Sequence, residues 1–406
     1  MLVVLPRPAL AQAADPADAF FNDQVLHEIR LSVNTTDLQL LFERWQEDTY
    51  YPADFRWNGQ VVRNVAIRSR GAGSRRPNKL NFRVDINRYT DGQTFLGLRS
   101  FILRNNAQDP STMRERLAML FFRSLGIPAV RETHTRLFIN NQYAGVYTIV
   151  ESPDTDFLRK RLGENTGHLY EYHFDKDTVR AGEKPFTFQF LGSNPALYVP
   201  IPFSPQTLTD DPQGEVIARF VQAVSDTGAA GWRSNVSAFL DLATFIRHLA
   251  IENFLAEQDG LTGDYGPNNF YLYRFANTTR FRFLPWDKSN TFYDLFLSIF
   301  HNIRDGPEDR RNVLVARALQ EPDLFQLYLD TMLECVAFAL QGAAPGQPGW
   351  LEAEVGREYD QIRDAARADT LIFTNAEFEQ AIVDLKALAR DRPGIVRRQV
   401  GAARGQ

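Results

Sequence analysis

Residues 264 to 292 read DYGPNNFYLYRFANTTRFRFLPWDKSNTF, and this stretch decides how the chain is interpreted. The runs FYLYRF and RFRFLPW alternate in the way of β-strands, whose side chains point in turn to opposite faces. The segment ANTT between them is turn-like, so we predict a β-hairpin with strands 269–274 and 280–285. Because a hairpin brings its two ends together, Asp264 before the first strand is expected to lie beside Asp287 after the second.

The open end of this predicted hairpin carries oxygen-bearing side chains. Asp264, Asn268 and Asn269 precede the first strand, and Asp287 follows the second. Carboxylate and amide oxygens are ligands of hard cations such as Mg²⁺, so the pattern indicates a metal site. In the alternative interpretation, Asp287 caps the next segment and Asp264 merely solvates a loop.

Composition narrows the class of protein. The 406 residues are 44% hydrophobic and 23% charged with a net charge of −5, which predicts a large core in two or three lobes. It also argues against a nucleic-acid partner and against a polybasic membrane module. The single cysteine, Cys335, excludes an intramolecular disulfide, and the six histidines lack the spacing of a zinc site. No run of about 18 apolar residues is present, so we expect no membrane span.

The first 19 residues predict export. A short apolar stretch is followed by ALAQA and then ADP, a small-x-small pattern typical of a signal-peptidase site. The stretch lacks a basic start, so we interpret it as the tail of a signal peptide; a disordered leader is the alternative. Export predicts a secreted, periplasmic or cell-surface protein.

The order of elements predicts an α+β fold. Residues 20–150 are rich in alternating, strand-like segments, and residues 151–406 are rich in helical ones. The first part contains a helix in DPSTMRERLAMLFFRSLGIP, capped by Asp109, and we expect it to pack on the neighbouring sheet through Leu117 and Phe121. A second hairpin is predicted to turn within FINNQYAGV.

This order is similar to that of protein kinases. A glycine-containing turn, a strand with a lysine, a helix, a long helix and acids at a hairpin follow one another. Asp264 and Asn269 have the D-x-x-x-x-N spacing of a kinase catalytic loop, and Asp287 takes the place of the metal-binding aspartate. The strings HRD, DFG and VAIK are missing, which excludes an ordinary protein kinase.

Five segments, in order, carry a more specific resemblance. They are VVRNVAIRSRGAGS with KLNFRVDI, then DPSTMRERLAMLFFRSLGI, FINNQYAGVYTIVE, GHLYEY, and the hairpin that ends in PWD. Through them the chain resembles the spore coat protein H (CotH) kinase family of atypical kinases from about residue 21 to 400. The resemblance implies a bilobal protein-kinase-like fold with a strand-rich N-lobe and a helix-rich C-lobe. It also implies ATP, Mg²⁺ and transfer of the γ-phosphate to an exported or cell-surface protein.

The resemblance implies roles for the acids. Asp287 would be the metal-binding aspartate and Asn269 a second metal ligand. The family places a catalytic aspartate just after the long helix, which here is Asp259, whereas the kinase-like spacing selects Asp264. Both stay open, and we favour Asp264.

On the nucleotide side, Lys79 or Arg83 is expected to hold the α- and β-phosphates. We expect Lys79 to point across the cleft toward Asp287. Glu115 is a candidate partner for Lys79, and Glu151 is a candidate hinge residue between the lobes. The glycine-containing turn would contact phosphate through Arg70, Gly71, Gly73 and Ser74.

One departure from the family pattern favours a second function. The family often has another acid two residues after the PWD aspartate, and this chain has Ser289 there. Lys288 also places a cation beside the predicted metal site, where it would oppose Mg²⁺ binding. The alternative is therefore a catalytically degenerate surface, coat or adhesion protein with the same fold.

Overall fold

A computed structural model describes residues 15–173, 184–226 and 231–405. Within these ranges the chain forms eleven β-strands and ten α-helices, which confirms the α+β class. The strands are β1 (His27–Val33), β2 (Tyr51–Trp57), β3 (Gln60–Ser69), β4 (Phe82–Asp85), β5 (Ser100–Arg104), β6 (Glu132–Ile139), β7 (Gln142–Glu151), β8 (His168–Tyr172), β9 (Phe203–Pro205), β10 (Phe270–Arg274) and β11 (Phe281–Pro285). The helices are α1 (Thr35–Glu43), α2 (Arg114–Ser124), α3 (Thr155–Leu162), α4 (Gly214–Ser225), α5 (Trp232–Ser237), α6 (Leu242–Phe254), α7 (Val313–Ala318), α8 (Pro322–Ala339), α9 (Trp350–Arg367) and α10 (Asn375–Ala403).

The first seven strands close into a barrel, in the order β1-β2-β3-β4-β5-β7-β6. All neighbours are antiparallel except β1 and β6, whose parallel pairing, with His27 opposite Thr135, closes the barrel. The sequence predicted strands here but not a closed barrel, because alternation says nothing about which distant strands pair. We call residues 15–151 the barrel half and the described residues from 152 onward the helical half.

Alternating apolar residues fill the interior of the barrel. On β1, Ile29, Leu31 and Val33 are buried, while the residues between them are more exposed. Phe20, just before the barrel, contacts the ring of Phe101 edge-on with the centroids 5.1 Å apart. Each such side chain contributes about 1.5–3 kcal/mol when it is fully buried. Apolar side chains therefore form a packed core inside the barrel.

Helix α2 joins the barrel half to the helical half. Asp109 accepts a hydrogen bond of 2.9 Å from the backbone N–H of the first helical residue, as a capping side chain does. Leu117 and Phe121 are fully buried. Phe121, however, stacks on Phe254 at 5.2 Å and lies near Trp350. Helix α2 contacts β6 of the barrel, as predicted, and Phe121 also packs against helices α6 and α9 of the helical half.

The hairpin at residues 264–292 is confirmed as β10 and β11. The two strands are antiparallel, with Phe270 opposite Pro285. They form a four-stranded sheet in the order β11-β10-β8-β9, and GHLYEY supplies β8. The second predicted hairpin is β6–β7, which turns at Asn140 and Asn141, both with positive φ angles. Both hairpins thus lie where local alternation and turn residues predicted them.

A buried arginine on α10 links this helix to two other segments of the helical half. The guanidinium of Arg392 donates to the carbonyl oxygens of Asn253 and Phe254, at 2.8 and 3.0 Å, at the end of α6. It also donates to the carbonyl oxygens of Leu295 and Leu297, at 3.0 and 2.6 Å. Arg392 therefore joins α6, α10 and the segment that follows the PWD hairpin.

The predicted leader lies mostly outside the described residues, which begin at Asp15. Asp15 already belongs to the fold, since it pairs with Lys160 at 2.9 Å and Arg131 at 3.0 Å. The buried side chain of Ala17 is likewise part of the barrel core. The folded part thus includes residues 15–19, which the sequence had assigned to the leader. Among the helices of the described ranges, none has the length and apolar character needed to cross a membrane.

Candidate active site

A cleft of about 310 Å³ lies between the barrel half and the hairpin of the helical half. On one side it is lined by the turn between β3 and β4, residues 70–75. On the other side it is lined by the hairpin ends and the loop before them, among them Asp259, Asn269 and Asp287. We call it the Asp287 cleft. Its size is within the range of small-molecule sites.

Asp287 is half-buried and is held by cations. Its Oδ1 accepts a hydrogen bond from Arg104 Nη1 at 2.6 Å and another from the Ser289 hydroxyl at 3.3 Å. Burial alone raises the pKa of Asp287, but the charges of Arg104 and Arg70 outweigh burial and lower it. The carboxylate is therefore ionised at neutral pH, as a metal ligand must be.

Arg104 is the centre of a buried cluster of charges. Its Nε lies 2.8 Å from Glu115 Oε2 on α2, so one arginine serves both Glu115 and Asp287. Burial raises the pKa of Glu115, and Arg104 opposes this effect. Burial and the neighbouring Glu115 also raise the pKa of Glu132. Arg104 thus fixes Asp287 against α2 of the barrel half.

Asn269 and Asp259 are in direct contact. Asn269 Nδ2 donates to the Asp259 carboxylate at 3.0 Å and to its backbone oxygen at 2.8 Å. Asn268 Nδ2 donates to the other carboxylate oxygen at 2.9 Å. Burial raises the pKa of Asp259, the asparagine hydrogen bonds lower it, and the charge of Asp287 raises it further, so that the net shift is upward.

The donor set at the hairpin mouth fits Mg²⁺. The amide nitrogen of Asn269 donates to Asp259, so its amide oxygen remains for a metal ion. Asp287 adds a carboxylate to the same cleft. Across residues 15–173, 184–226 and 231–405, no three His, Cys, Asp or Glu side chains could hold a metal by themselves. Mg²⁺ does not require such a cage, because it usually binds one or two carboxylates together with water and substrate phosphates.

Asp264 lies apart from this group. It does not belong to the lining of the Asp287 cleft, and its carboxylate accepts a hydrogen bond from His301 Nε2 at 2.5 Å. That hydrogen bond is the main cause of the lowered pKa of Asp264. Its backbone oxygen accepts from Arg310 at 2.6 Å. Of the two acids left open by the sequence, the structure brings only Asp259 beside Asn269 and Asp287.

All four residues predicted in the glycine-containing turn line the Asp287 cleft. They are Arg70, Gly71, Gly73 and Ser74. Gly71 has φ +99°, and a Cβ there would lie 2.7 Å from Ser74 Oγ, so the turn requires glycine at this position. Arg75 Nε donates to the Gly71 carbonyl at 2.6 Å, so this side chain stabilises the turn. Arg70 remains the candidate phosphate-binding cation.

Lys79 and Arg83 do not lie in this cleft. Lys79 is buried with its ammonium 2.5 Å from Asp369, so the prediction that it points toward Asp287 is wrong. It precedes β4, and its side chain faces the helical half. Arg83 lines a second cleft of about 220 Å³, where it donates to Ser100 Oγ at 3.3 Å. We call this second cavity the Arg83 cleft.

The two remaining glutamates have other partners than predicted. Glu115 pairs with Arg104, not with Lys79. Glu151 ends β7 and accepts a hydrogen bond from Arg131 Nη2 at 2.5 Å and another from the Arg131 backbone N–H at 3.0 Å. Neither residue belongs to the lining of the Asp287 cleft. Glu151 thus has the geometry of a structural residue at the end of the barrel half.

Comparison with known proteins agrees with this arrangement of segments. The family model described as CotH kinase protein matches residues 67–396. The chain belongs to the CotH family. The inner spore coat protein H of Bacillus subtilis is 25% identical over 350 residues, which cover 84% of this chain and 88% of that protein.

Two further similarities are narrower or more distant. An inner spore coat protein H-like protein of Bacillus subtilis is 38% identical over 60 residues, 15% of this chain and 20% of that protein. The crystal structure of the Helicobacter pylori proinflammatory kinase CtkA aligns with a TM-score of 0.31 and 9% identity. That alignment covers 81% of this chain and 96% of CtkA.

Lys288, the cation expected to oppose Mg²⁺ binding, does not belong to the lining of the Asp287 cleft. It is completely buried, its ammonium lies 2.5 Å from Glu252 Oε1, and it donates to the Asn269 carbonyl at 2.9 Å. Burial lowers the pKa of Lys288, but the charges of Glu252 and Glu257 raise it more. The expected conflict with Mg²⁺ is therefore reduced, because Glu252 neutralises the cation.

We expect Lys288→Met to reduce the free energy of unfolding by about 3–5 kcal/mol, since it leaves Glu252 buried without its cation. Denaturant titration measures the change. The double variant Lys288→Met/Glu252→Gln is the control, and it should recover most of the loss because no buried charge remains. A loss below about 1 kcal/mol in the single variant would contradict the assignment of Lys288 as a buried structural cation.

Arg104 contacts Asp287 in the candidate site, and the sequence interpretation did not nominate it. It ends the buried strand SFILR and is only 4% exposed. The available signal was a charged residue at the end of an apolar run, ten residues before the helix that carries Glu115. Alternation alone did not show that this arginine, rather than Lys79, faces the acids.

Proposed function

We propose that this CotH protein is a kinase that transfers the γ-phosphate of ATP to an exported or cell-surface protein. The observation that carries the proposal is the meeting of Asp259, Asn269 and Asp287 in one cleft opposite a glycine-containing turn. Phosphoryl transfer depends mainly on positioning and on charge neutralisation at the phosphates. This cleft offers a carboxylate and an amide oxygen for a metal, a cationic turn for phosphate and a separate acid for the acceptor.

The two clefts together suit the parts of a nucleotide. In this proposal the phosphates lie in the Asp287 cleft against Arg70 and the turn, and the base and ribose lie in the Arg83 cleft. The Arg83 cleft is lined by Ser152 and Asp154, just after β7, and by Tyr271 on β10. Glu171 of the first cleft is an electrostatic neighbour of Tyr271, so the two cavities share a wall.

Asp287 and Asn269 would hold Mg²⁺, which when bound neutralises charge on the phosphate oxygens. Asp259 would orient the acceptor hydroxyl and accept its proton. The raised pKa of Asp259, caused first by burial, makes it a stronger base than an ordinary aspartate. Asn268 and Asn269 keep its carboxylate in a fixed orientation.

The same proposal assigns the two halves to the lobes of a protein-kinase-like fold. The barrel half supplies the turn, and Arg104 with Glu115 takes the part of the lysine–glutamate pair that kinases form between a strand and a helix. The helical half supplies the hairpin and the acids. Arg104 also contacts Asp287, so this pair connects the lobes at the site.

The name of the curated relative and the N-terminal sequence support a location for this protein. The curated relative is named for the inner spore coat, and the first residues of this chain have the pattern of an export signal. We therefore propose a secreted, periplasmic or cell-surface protein with a protein acceptor and with neither a nucleic-acid partner nor a membrane span.

The test is transfer of radiolabelled γ-phosphate from ATP by the purified chain, with autophosphorylation as the first readout. We expect Mg²⁺-dependent incorporation into protein that EDTA removes. Label in the chain or in an added exported protein supports the kinase. If ATP neither binds nor is consumed in the presence of Mg²⁺, the kinase proposal fails.

A non-catalytic coat or adhesion protein is the second candidate. It is favoured by Ser289, which stands where the family often has another acid, and by Arg104, which occupies one oxygen of Asp287. In this case the fold would persist without turnover. The same transfer assay separates the two candidates, because this one predicts no label with or without Mg²⁺.

A further inference from the structure

A buried ion pair joins the two halves away from both clefts. Lys79 Nζ lies 2.5 Å from Asp369 Oδ2, just past the end of α9, and donates to the Val146 carbonyl at 3.0 Å. The Lys79 and Asp369 side chains are only 4% and 6% exposed. Asp369 also accepts from the Val146 backbone N–H at 2.8 Å. The pair therefore fixes the end of α9 to β7 and to the segment before β4.

A glycine leaves room for the Asp369 carboxylate of this pair. Asp369 sits directly on Gly145, where an added Cβ would lie 2.3 Å from the carboxylate. A buried ion pair contributes little net stability compared with apolar residues of similar volume, because both charges must leave water. The pair does, however, fix the relative positions of the segments that it joins, because its charged groups are held by several hydrogen bonds.

Two asparagines connect Lys79 to the glycine-containing turn. Asn105 Nδ2 donates to the Lys79 carbonyl at 2.6 Å and to the Ser74 carbonyl at 3.1 Å. The Asn105 backbone N–H donates to Asn81 Oδ1 at 2.6 Å, and Asn81 Nδ2 donates to Ser74 Oγ at 2.8 Å. The Arg70 N–H donates to the Asn81 carbonyl at 3.2 Å. Both ends of the turn are thus held by groups adjoining Lys79.

We propose that Lys79 and Asp369 are positioning residues for this turn: the end of α9 sets where residues 70–75 stand over the Asp287 cleft. The inference rests on the proposed function only in assigning phosphate to the turn. Lys79 would then act on the nucleotide through Asn105 and Ser74 and would not touch it. Removing the charge of Asp369 should loosen the turn without changing the acids of the cleft.

The first measurement is amide hydrogen exchange in the whole chain, which needs no nucleotide. In Asp369→Asn, we expect the Arg70 and Asn105 amides, both bonded to Asn81, to exchange at least about tenfold faster. Asn105→Ser is the second variant; it leaves the ion pair in place and cuts the link to Ser74. The matched control is Glu354→Gln, which removes one of the acidic partners of the buried Arg116 between the halves.

The second measurement is the affinity for Mg²⁺-ATP. We expect Asp369→Asn and Asn105→Ser to raise the KM for ATP by about tenfold while kcat at saturating ATP changes by less than about threefold. Glu354→Gln should lower Tm with no change in that KM. Unchanged exchange at Arg70 and Asn105 in both test variants would overturn the inference, as would an equal change in Glu354→Gln.

The two proposals fail in different ways. If the wild-type chain binds no ATP but the exchange of Arg70 and Asn105 still responds to Asp369→Asn, the turn is positioned as inferred and only the kinase proposal fails. If the wild-type chain binds ATP and the turn amides do not respond, the kinase proposal stands and Lys79 with Asp369 is a purely structural pair.

Discussion

Asp287→Asn is expected to abolish Mg²⁺-dependent nucleotide binding and phosphate transfer together, with transfer reduced on the order of a thousandfold or more. Arg104 and Arg70 keep Asp287 ionised despite its burial, so the substitution removes the main anionic metal ligand in the cleft. Asparagine has nearly the same shape, and the hydrogen bond from Arg104 to Oδ1 can persist. The loss of binding and transfer would therefore come from the missing negative charge and not from altered packing.

Titration with a fluorescent ATP analogue, with and without Mg²⁺, measures the binding half of this expectation, and radiolabel transfer measures the other. Thermal unfolding of the variant serves as the check that the fold survives. Unchanged Mg²⁺-nucleotide binding in Asp287→Asn would mean that the cleft does not hold a metal through this residue. The non-catalytic candidate would then replace the kinase.

Asp259→Asn is expected to cut transfer on the order of a hundredfold or more while nucleotide binding stays nearly intact. Asp259 lines the cleft and is in contact with Asn269, but in this proposal it acts on the acceptor and not on the metal. Its raised pKa adds a pH signature. Because the base must be deprotonated, transfer should begin to fall at a higher pH on acidification than it would with an ordinary aspartate.

Asp264→Asn is the matched control for this prediction. It removes the same charge only five residues along the chain, at a carboxylate that faces His301 outside the cleft. We expect its transfer rate to remain within about threefold of wild type. Single-turnover kinetics on the two variants separates the acids. A silent Asp259→Asn with an inactive Asp264→Asn would restore the assignment that the D-x-x-x-x-N spacing favoured.

Local patterns in the sequence predicted the hairpin and the glycine-containing turn that line the cleft. Alternation and turn residues predicted β10 and β11, and with them the neighbourhood of Asn269 and Asp287. The spacing of glycines in RGAGS predicted a turn in which every nominated residue lines the cleft. These predictions succeeded because they depend on residues close together in the chain, where backbone geometry follows directly from side-chain type.

The features that the sequence did not predict depend on contacts between residues that are distant in the chain. Closure of the barrel requires β1 to pair with β6, which no local pattern encodes. Lys79 and Arg104 are both cations beside strands, and only the packing of α9 and α2 decides that Arg104 faces the acids. The choice between Asp259 and Asp264 depends on a loop in which Asn269 has φ +58°, a conformation that periodicity does not report.

Arg392 joins segments of the chain that leave the ribosome at different times. Its guanidinium supplies the donors for carbonyls at the end of α6 and in the segment after the PWD hairpin. Until Arg392 emerges from the ribosome or the translocation channel, those carbonyls lack this donor, and the hairpin is held to α6 by other contacts, such as the ion pair of Lys288 with Glu252. A nascent chain would therefore lack this link between α6 and the segment after the hairpin until α10 has been made.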